Sequence, residues 1–174
     1  LTGSDKKIES LSSMDIRNIT FPNESENKCI PFFSEVVEIL PKECLLIIEI
    51  KSVHILNTGI EKNILQVITN YNIEKKCIVS SFNPFVLRRI KIINPKVNTA
   101  LLWSQYSQFI INSLLWVWFC RPDGVHIDIN YLEKELIDWS RKKSLSLFTF
   151  TVNNKKDLDK ALSLRVDGFF TDDP

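Results

Sequence analysis

Glycine is scarce, with four residues in 174. None falls into GxGxxG or GxxxxGKS spacing, so the glycine-rich loops that cradle nucleotide phosphates are excluded. The four cysteines, Cys29, Cys44, Cys77 and Cys120, form no CxxC pair, which argues against a zinc site. Cys44 and Cys77 stand in or beside strand-like runs, a common setting for reduced core cysteines. Charge of one sign is also lacking: 22 Lys and Arg oppose 21 Asp and Glu, for a formal net charge of +1. Lysines are scattered and no aromatic residues alternate with basic ones, so nucleic acid is not an expected partner. The most apolar window, QFIINSLLWVWF at 108–119, is too short to cross a bilayer and is followed by Arg121, Pro122 and Asp123. It reads as a buried helix leading into a strand, and an interfacial, membrane-associated role stays open.

No signal segment opens the chain, which starts at Leu1 and ends at Pro174 directly after a strand-like run. The expectation is a piece of something longer. A cytoplasmic location is expected from the reduced-looking cysteines and the missing signal, while the oligomeric state is not legible.

What is present is a core-forming composition, 44% hydrophobic and 25% charged, which predicts one domain over 1–174. Helical stretches near Ser12–Ile19 and Phe32–Leu40 precede apolar runs at Leu45–Ile50, Cys77–Phe82, Asn98–Leu102, Gly124–Ile127, Leu147–Val152 and Gly168–Thr171. Between the runs lie helix-period segments. Ile60, Ile64, Ile68 and Tyr71 share one predicted face, as do Leu132, Leu136 and Trp139. Asn83-Pro84 predicts an N-cap with proline at the first helical position, and Asn130 with Glu133 has capping-box spacing. Strands separated by such helices imply a parallel sheet of βα units. An open doubly wound sheet and a (β/α)8 barrel short of two strands both accept this pattern.

Chemistry-bearing residues separate the two. The run CLLIIEIKSVHI at 44–55 places Glu49 and Lys51 at the end of a strand, on one face by alternation, with Ile50 on the other. A carboxylate there needs a charge partner or a metal. Glu49, Lys51, Ser80-Ser81-Phe82, Asn153 and Asp172 all fall at C-terminal strand ends, where a barrel keeps its chemistry.

The ordered set Ile30-Pro31, Ser34-Glu35-Val36-Val37 with Leu40, IIEIK at 47–51, VSSFNPFVLRRIK at 79–91, RPDGVHID at 121–128, FTFTVNN at 148–154 and VDGFFTDDP at 166–174 resembles the glycerophosphodiester phosphodiesterase family. The opening LTGSDKKIESLSSMDI is similar to the family's stretch after its second histidine, which places Leu1 inside the domain. The resemblance implies an α/β fold, a (β/α)8 TIM barrel with its first strands missing here, and metal-dependent hydrolysis of glycerophosphodiesters to an alcohol and glycerol 3-phosphate. It implies Glu49 as a metal ligand and Lys51 as a phosphate contact. Phe150 stands where the family usually has tryptophan and would be an apolar, substrate-contacting wall; Phe82 is read as a substrate-contacting wall residue or a core aromatic, which the sequence does not separate.

The resemblance also implies acid and base histidines and further acidic ligands upstream, in motifs this chain does not contain. Divalent Mg or Ca suits Glu49 better than zinc, because hard cations take carboxylate oxygens. A cation and an ammonium stabilise the charge that grows on a phosphodiester, but proton transfer needs groups titrating near neutrality. His54 is expected on an exposed loop and His126 in a structural or supporting role, so the chain alone is expected to be inactive. A binding module for phosphorylated glycerol or lipid head groups, and a structural partner joined through the open sheet edge, are the other readings.

Overall fold

The structure is a computed structural model that describes residues 8–19, 29–41, 43–56, 59–104 and 113–174. It divides into two compact units, Leu1–Glu43 and Cys44–Pro174. In the first, helix α1 (Ser13–Arg17) begins at Ser12, whose hydroxyl accepts the Asp15 N–H at 3.1 Å while the Asp15 carboxylate accepts the Ser12 N–H at 3.0 Å. This reciprocal box satisfies two otherwise orphaned donors. Helix α2 (Phe33–Ile39) is tied to it by Arg17, which donates to Glu35 at 2.6 Å and lies over the Phe32 ring, 5.0 Å from its centroid.

The second unit holds one parallel sheet of six strands: β1 (Leu46–Glu49), β2 (Cys77–Ser81), β3 (Asn98–Trp103), β4 (Gly124–Asp128), β5 (Ser146–Phe150) and β6 (Gly168–Phe169). Helices α3 (Ile60–Asn70), α4 (Pro84–Ile93), α5 (Ser113–Cys120), α6 (Lys134–Lys142) and α7 (Lys155–Ser163) connect them. Spatial order follows chain order from β1 to β6. A doubly wound sheet reverses its order at a switch point, so this winding is that of a barrel, and the fold is an incomplete α/β barrel as the sequence implies.

Alternation divides the two faces of the sheet. Leu101, Val125, Ile127 and Leu147 join a buried apolar cluster with Leu87 of α4 and Ile137 of α6, each such side chain contributing about 1.5–3 kcal/mol. Leu102 and His126, their neighbours in sequence, line a cavity on the other face. Two Asp-Gly pairs repeat one device. Asp123 accepts the Thr99 N–H, and Asp167 the Leu147 N–H, both at 2.7 Å, tying each incoming strand to the one before it. Gly124 and Gly168 then lie so close to β5 that an added Cβ would sit 2.9 Å from the Ser146 carbonyl oxygen and 3.0 Å from the Phe148 ring, respectively.

Several expectations are corrected. On α3 the buried line is Glu61, Leu65 and Ile68, and Ile60 and Tyr71 are exposed. The helix is turned because Arg89 neutralises Glu61 inside the structure, with Nε at 2.7 Å and Nη2 at 2.6 Å from one carboxylate oxygen. No capping box joins Asn130 to Glu133: Asn130 sits in a short 3-10 turn, its N–H taken by Asp128 at 3.0 Å, and Glu133 itself is the N-cap of α6. In contrast, Asn83 caps α4 as predicted, accepting the Phe85 N–H at 3.0 Å with Pro84 in the first turn. β1, β2, β5 and β6 end before their apolar runs do, β5 at Phe150 and β6 at Phe169, whereas β3 and β4 run one residue further, to Trp103 and Asp128.

Cys77 and Cys120 are buried and Cys44 is exposed, and all four cysteines are free thiols. Of the apolar window, 108–112 lies outside the described residues. The α5 portion is not fully buried, since Leu115 is 59% and Trp118 73% exposed. Among the described residues no helix is long and apolar enough to cross a membrane.

Candidate functional site

At the C-terminal side of the sheet is a cavity of about 280 Å³, lined among others by Glu49, Ser80, Phe82, His126, Phe150 and Phe170. Parallel pairing builds it. Glu49 lies opposite Ser80, and His126 lies between Leu102 and Phe148, so the inward residues of successive strands come together. Phe82 and Phe150 meet edge to face, centroids 6.3 Å apart, and Phe150 and Phe170 do the same at 6.5 Å. The walls are therefore aromatic, with polar atoms confined to a few positions.

Glu49 is exposed at the end of β1, and its carboxylate has no ion-pair or hydrogen-bond partner among the described residues. Ile50 is buried, as alternation requires. The strand ends at Glu49, and Lys51, exposed just beyond it, is not among the residues lining the cavity. The two charges thus form no salt bridge. Ser80 and Phe82 face the cavity, but Ser81 turns away and donates to the Ile50 carbonyl oxygen at 2.7 Å. Asn153 and Asp172 lie outside the lining and brace each other, Asn153 Nδ2 donating to the Asp172 carboxylate at 2.8 Å.

The histidines differ sharply. His54 is exposed on the loop after β1. His126 is fully buried, stacked on Phe148, and desolvation lowers its pKa from 6.5 to about 4. It is a neutral imidazole whose two nitrogens have no hydrogen-bond partner among the described residues. Sequence reasoning did not place His126 or Phe170 in the cavity. The signal was available in the period of two, which puts His126 on the face opposite Val125 and Ile127, and Phe170 two residues beyond Gly168.

A cavity rimmed by a free carboxylate at the C-terminal ends of parallel barrel strands is the arrangement of a barrel enzyme. The sequence matches the Glycerophosphoryl diester phosphodiesterase family over residues 1–174, and the chain belongs to that family. It is 32% identical over 173 residues to a glycerophosphodiester phosphodiesterase of Caldanaerobacter subterraneus subsp. tengcongensis, covering 98% of this chain and 69% of that one. Its fold is similar to the crystal structure of the glycerophosphodiester phosphodiesterase of Thermotoga maritima, with a TM-score of 0.74 at 24% identity over 99% of this chain and 70% of that one. It is also similar to an Oleispira antarctica phosphodiesterase solved in complex with the product sn-glycerol-3-phosphate, with a TM-score of 0.54 at 18% identity over 72% and 50% of the two chains.

Proposed function

We propose that this chain supplies the cation- and phosphate-handling part of a glycerophosphodiester hydrolase, acting in glycerol and lipid metabolism, and that its 174 residues do not turn over alone. The observation that carries this reading is the unpartnered Glu49 carboxylate on the rim of the aromatic cavity. Glu49 would hold a divalent cation, Mg or Ca, whose charge stabilises the nonbridging phosphate oxygens as an attacking group adds to phosphorus. The donor set fits such an ion in type but not in number. Hard cations take about six oxygens, and among the described residues no cluster of three or more His, Cys, Asp and Glu could hold a metal.

Lys51, two residues past Glu49, would add a fixed positive charge for the phosphate. Phe82 and Phe150 would enclose the glycerol carbons, with Phe150 giving apolar surface but no indole N–H donor. Among the described residues neither histidine is placed to carry a proton: His54 is on an exposed loop, and His126 is neutral and buried. The Oleispira antarctica relative, with its bound sn-glycerol-3-phosphate, supports glycerol 3-phosphate as one product. The same placement of the histidines favours a second reading, a non-catalytic pocket for phosphorylated glycerol.

The test is hydrolysis of glycerophosphocholine by the 174-residue chain with Mg or Ca, against buffer holding the same metal. Equal rates are expected. Metal-dependent turnover that is lost in Glu49→Gln overturns the inactivity and assigns proton transfer to His54 or His126.

A further inference from the structure

The loop after β1 is held by its carbonyl groups. Ser81 Oγ donates to the carbonyl of Ile50 at 2.7 Å, Asn83 Nδ2 to those of Ser52 at 3.1 Å and His54 at 2.9 Å, and Arg89 Nη1 to that of Ile55 at 2.6 Å. The donors come from the end of β2, the N-cap of α4 and the middle of α4, and Ser81 and Asn83 are fully buried. The loop has little apolar anchorage of its own, because Val53, Ile55 and Leu56 are 64%, 57% and 81% exposed. Side-chain hydrogen bonds, not packing, set its path.

Asn83 is the centre of this arrangement. Its Oδ1 accepts the Phe85 N–H at 3.0 Å, its own N–H goes to Ser81 Oγ at 3.1 Å, and its Nδ2 serves two carbonyls. An amide can cap a helix with one atom and donate to two carbonyls with the other, whereas a carboxylate at the same place can only cap and a hydroxyl has a single proton to give. The bonds at Ile50 and Ser52 fix the chain on both sides of Lys51.

We infer that Asn83 is a positioning residue for anion binding: by fastening the loop, it holds the backbone of Lys51 in place just past Glu49. This rests on the reading of Lys51 as a phosphate contact. The geometry asks of Asn83 two separable duties, helix capping and loop fastening, and only the second touches the site.

Asn83→Asp and Asn83→Ser separate them, since both keep a capping oxygen. Aspartate sets a carboxylate against two carbonyl oxygens, and serine is too short to reach them. Binding of sn-glycerol 3-phosphate to the full chain, by calorimetry, should weaken roughly tenfold or more in either variant. Lys51→Ala should lose as much, and Asn83→Asp added to Lys51→Ala should lose nothing further. Backbone ¹⁵N relaxation of the ligand-free protein should show Lys51 rigid in the parent and mobile in both variants.

A Lys51 amide that stays rigid in the well-folded Asn83 variants overturns the inference, as does unchanged affinity in them. A parent chain that binds no glycerol 3-phosphate, or a Lys51→Ala chain that binds as the parent does, overturns instead the phosphate reading of Lys51, and the inference with it; relaxation then still reports whether the fastening exists. Full capping of α4 is checked by its helical ¹³C shifts, which should be the same in all.

Discussion

The imidazole of His126 lies stacked on the ring of Phe148, centroids 5.2 Å apart and planes 21° from parallel, while Phe170 meets it edge-on at 5.1 Å. Its pKa is lowered to about 4 by desolvation, against 6.5 for the free side chain. Between those values the unfolded chain binds a proton at this residue that the folded chain does not. Stability therefore falls as pH drops through that window and levels off, for this group, below it. The full loss is on the order of 3 kcal/mol. Chemical denaturation at pH 7 and pH 4.5 should show it, and His126→Phe, with nothing to protonate, should flatten that part of the dependence. Identical pH dependence in the two proteins would exclude this origin.

At pH 7 the same variant should be more stable than the parent. Two buried nitrogens without partners cost about 1–3 kcal/mol each, and phenylalanine offers nearly the same shape to Phe148 and Phe170. A midpoint in urea that rises in His126→Phe is expected; a fall of 1 kcal/mol or more, on the scale of a lost hydrogen bond, would show that the imidazole finds partners.

Glu61 and Arg89 form a largely buried ion pair in the second unit, the Glu61 side chain 1% and the Arg89 side chain 18% exposed. Glu61→Gln should cost about 3–5 kcal/mol, since it leaves a guanidinium without its counter-charge. The double change Glu61→Leu with Arg89→Met should recover most of that in denaturation experiments. It should still loosen the loop at Ile55, whose carbonyl Arg89 holds, and hydrogen exchange there would detect it.

The strands were legible because burial imposes pattern: CIVSS is buried throughout, and SLFTF alternates. The α4 start was legible because a cap is local. What the sequence hid depends on distant partners. Arg89 turns α3 from 28 residues away, and the carbonyls held by Asn83 lie 29 and 31 residues before it. Asn130 misled because Asp128 captures its backbone N–H first. Glu49 could be oriented by alternation since it is still in β1; Lys51 could not, because the pleat ends before it.

Gly168→Ala tests how tightly the aromatic wall is set. The added Cβ would lie 3.0–3.2 Å from three atoms of the Phe148 ring, which lies between Gly168 and His126, so the ring must shift toward the imidazole it stacks on. Overpacking of this kind costs about 1–3 kcal/mol. Thermal unfolding should report the loss, and an Ala variant as stable as the parent would mean that Phe148 has room to move.

Removing the carboxylate from Glu49 should affect metal and nothing else. The side chain is exposed and has no partner in the described structure, so Glu49→Gln should leave stability within about 0.5 kcal/mol. With one carboxylate and the remaining positions filled by water, the parent chain should bind Mg or Ca only weakly, no tighter than the weakest protein calcium sites, roughly 10⁻⁴–10⁻³ M. Calorimetry should show that weak binding disappear in Glu49→Gln. Micromolar affinity in the parent would mean that other oxygen donors of the chain converge on the ion. Weak binding that survives the substitution would place the ion elsewhere and remove Glu49 as its ligand.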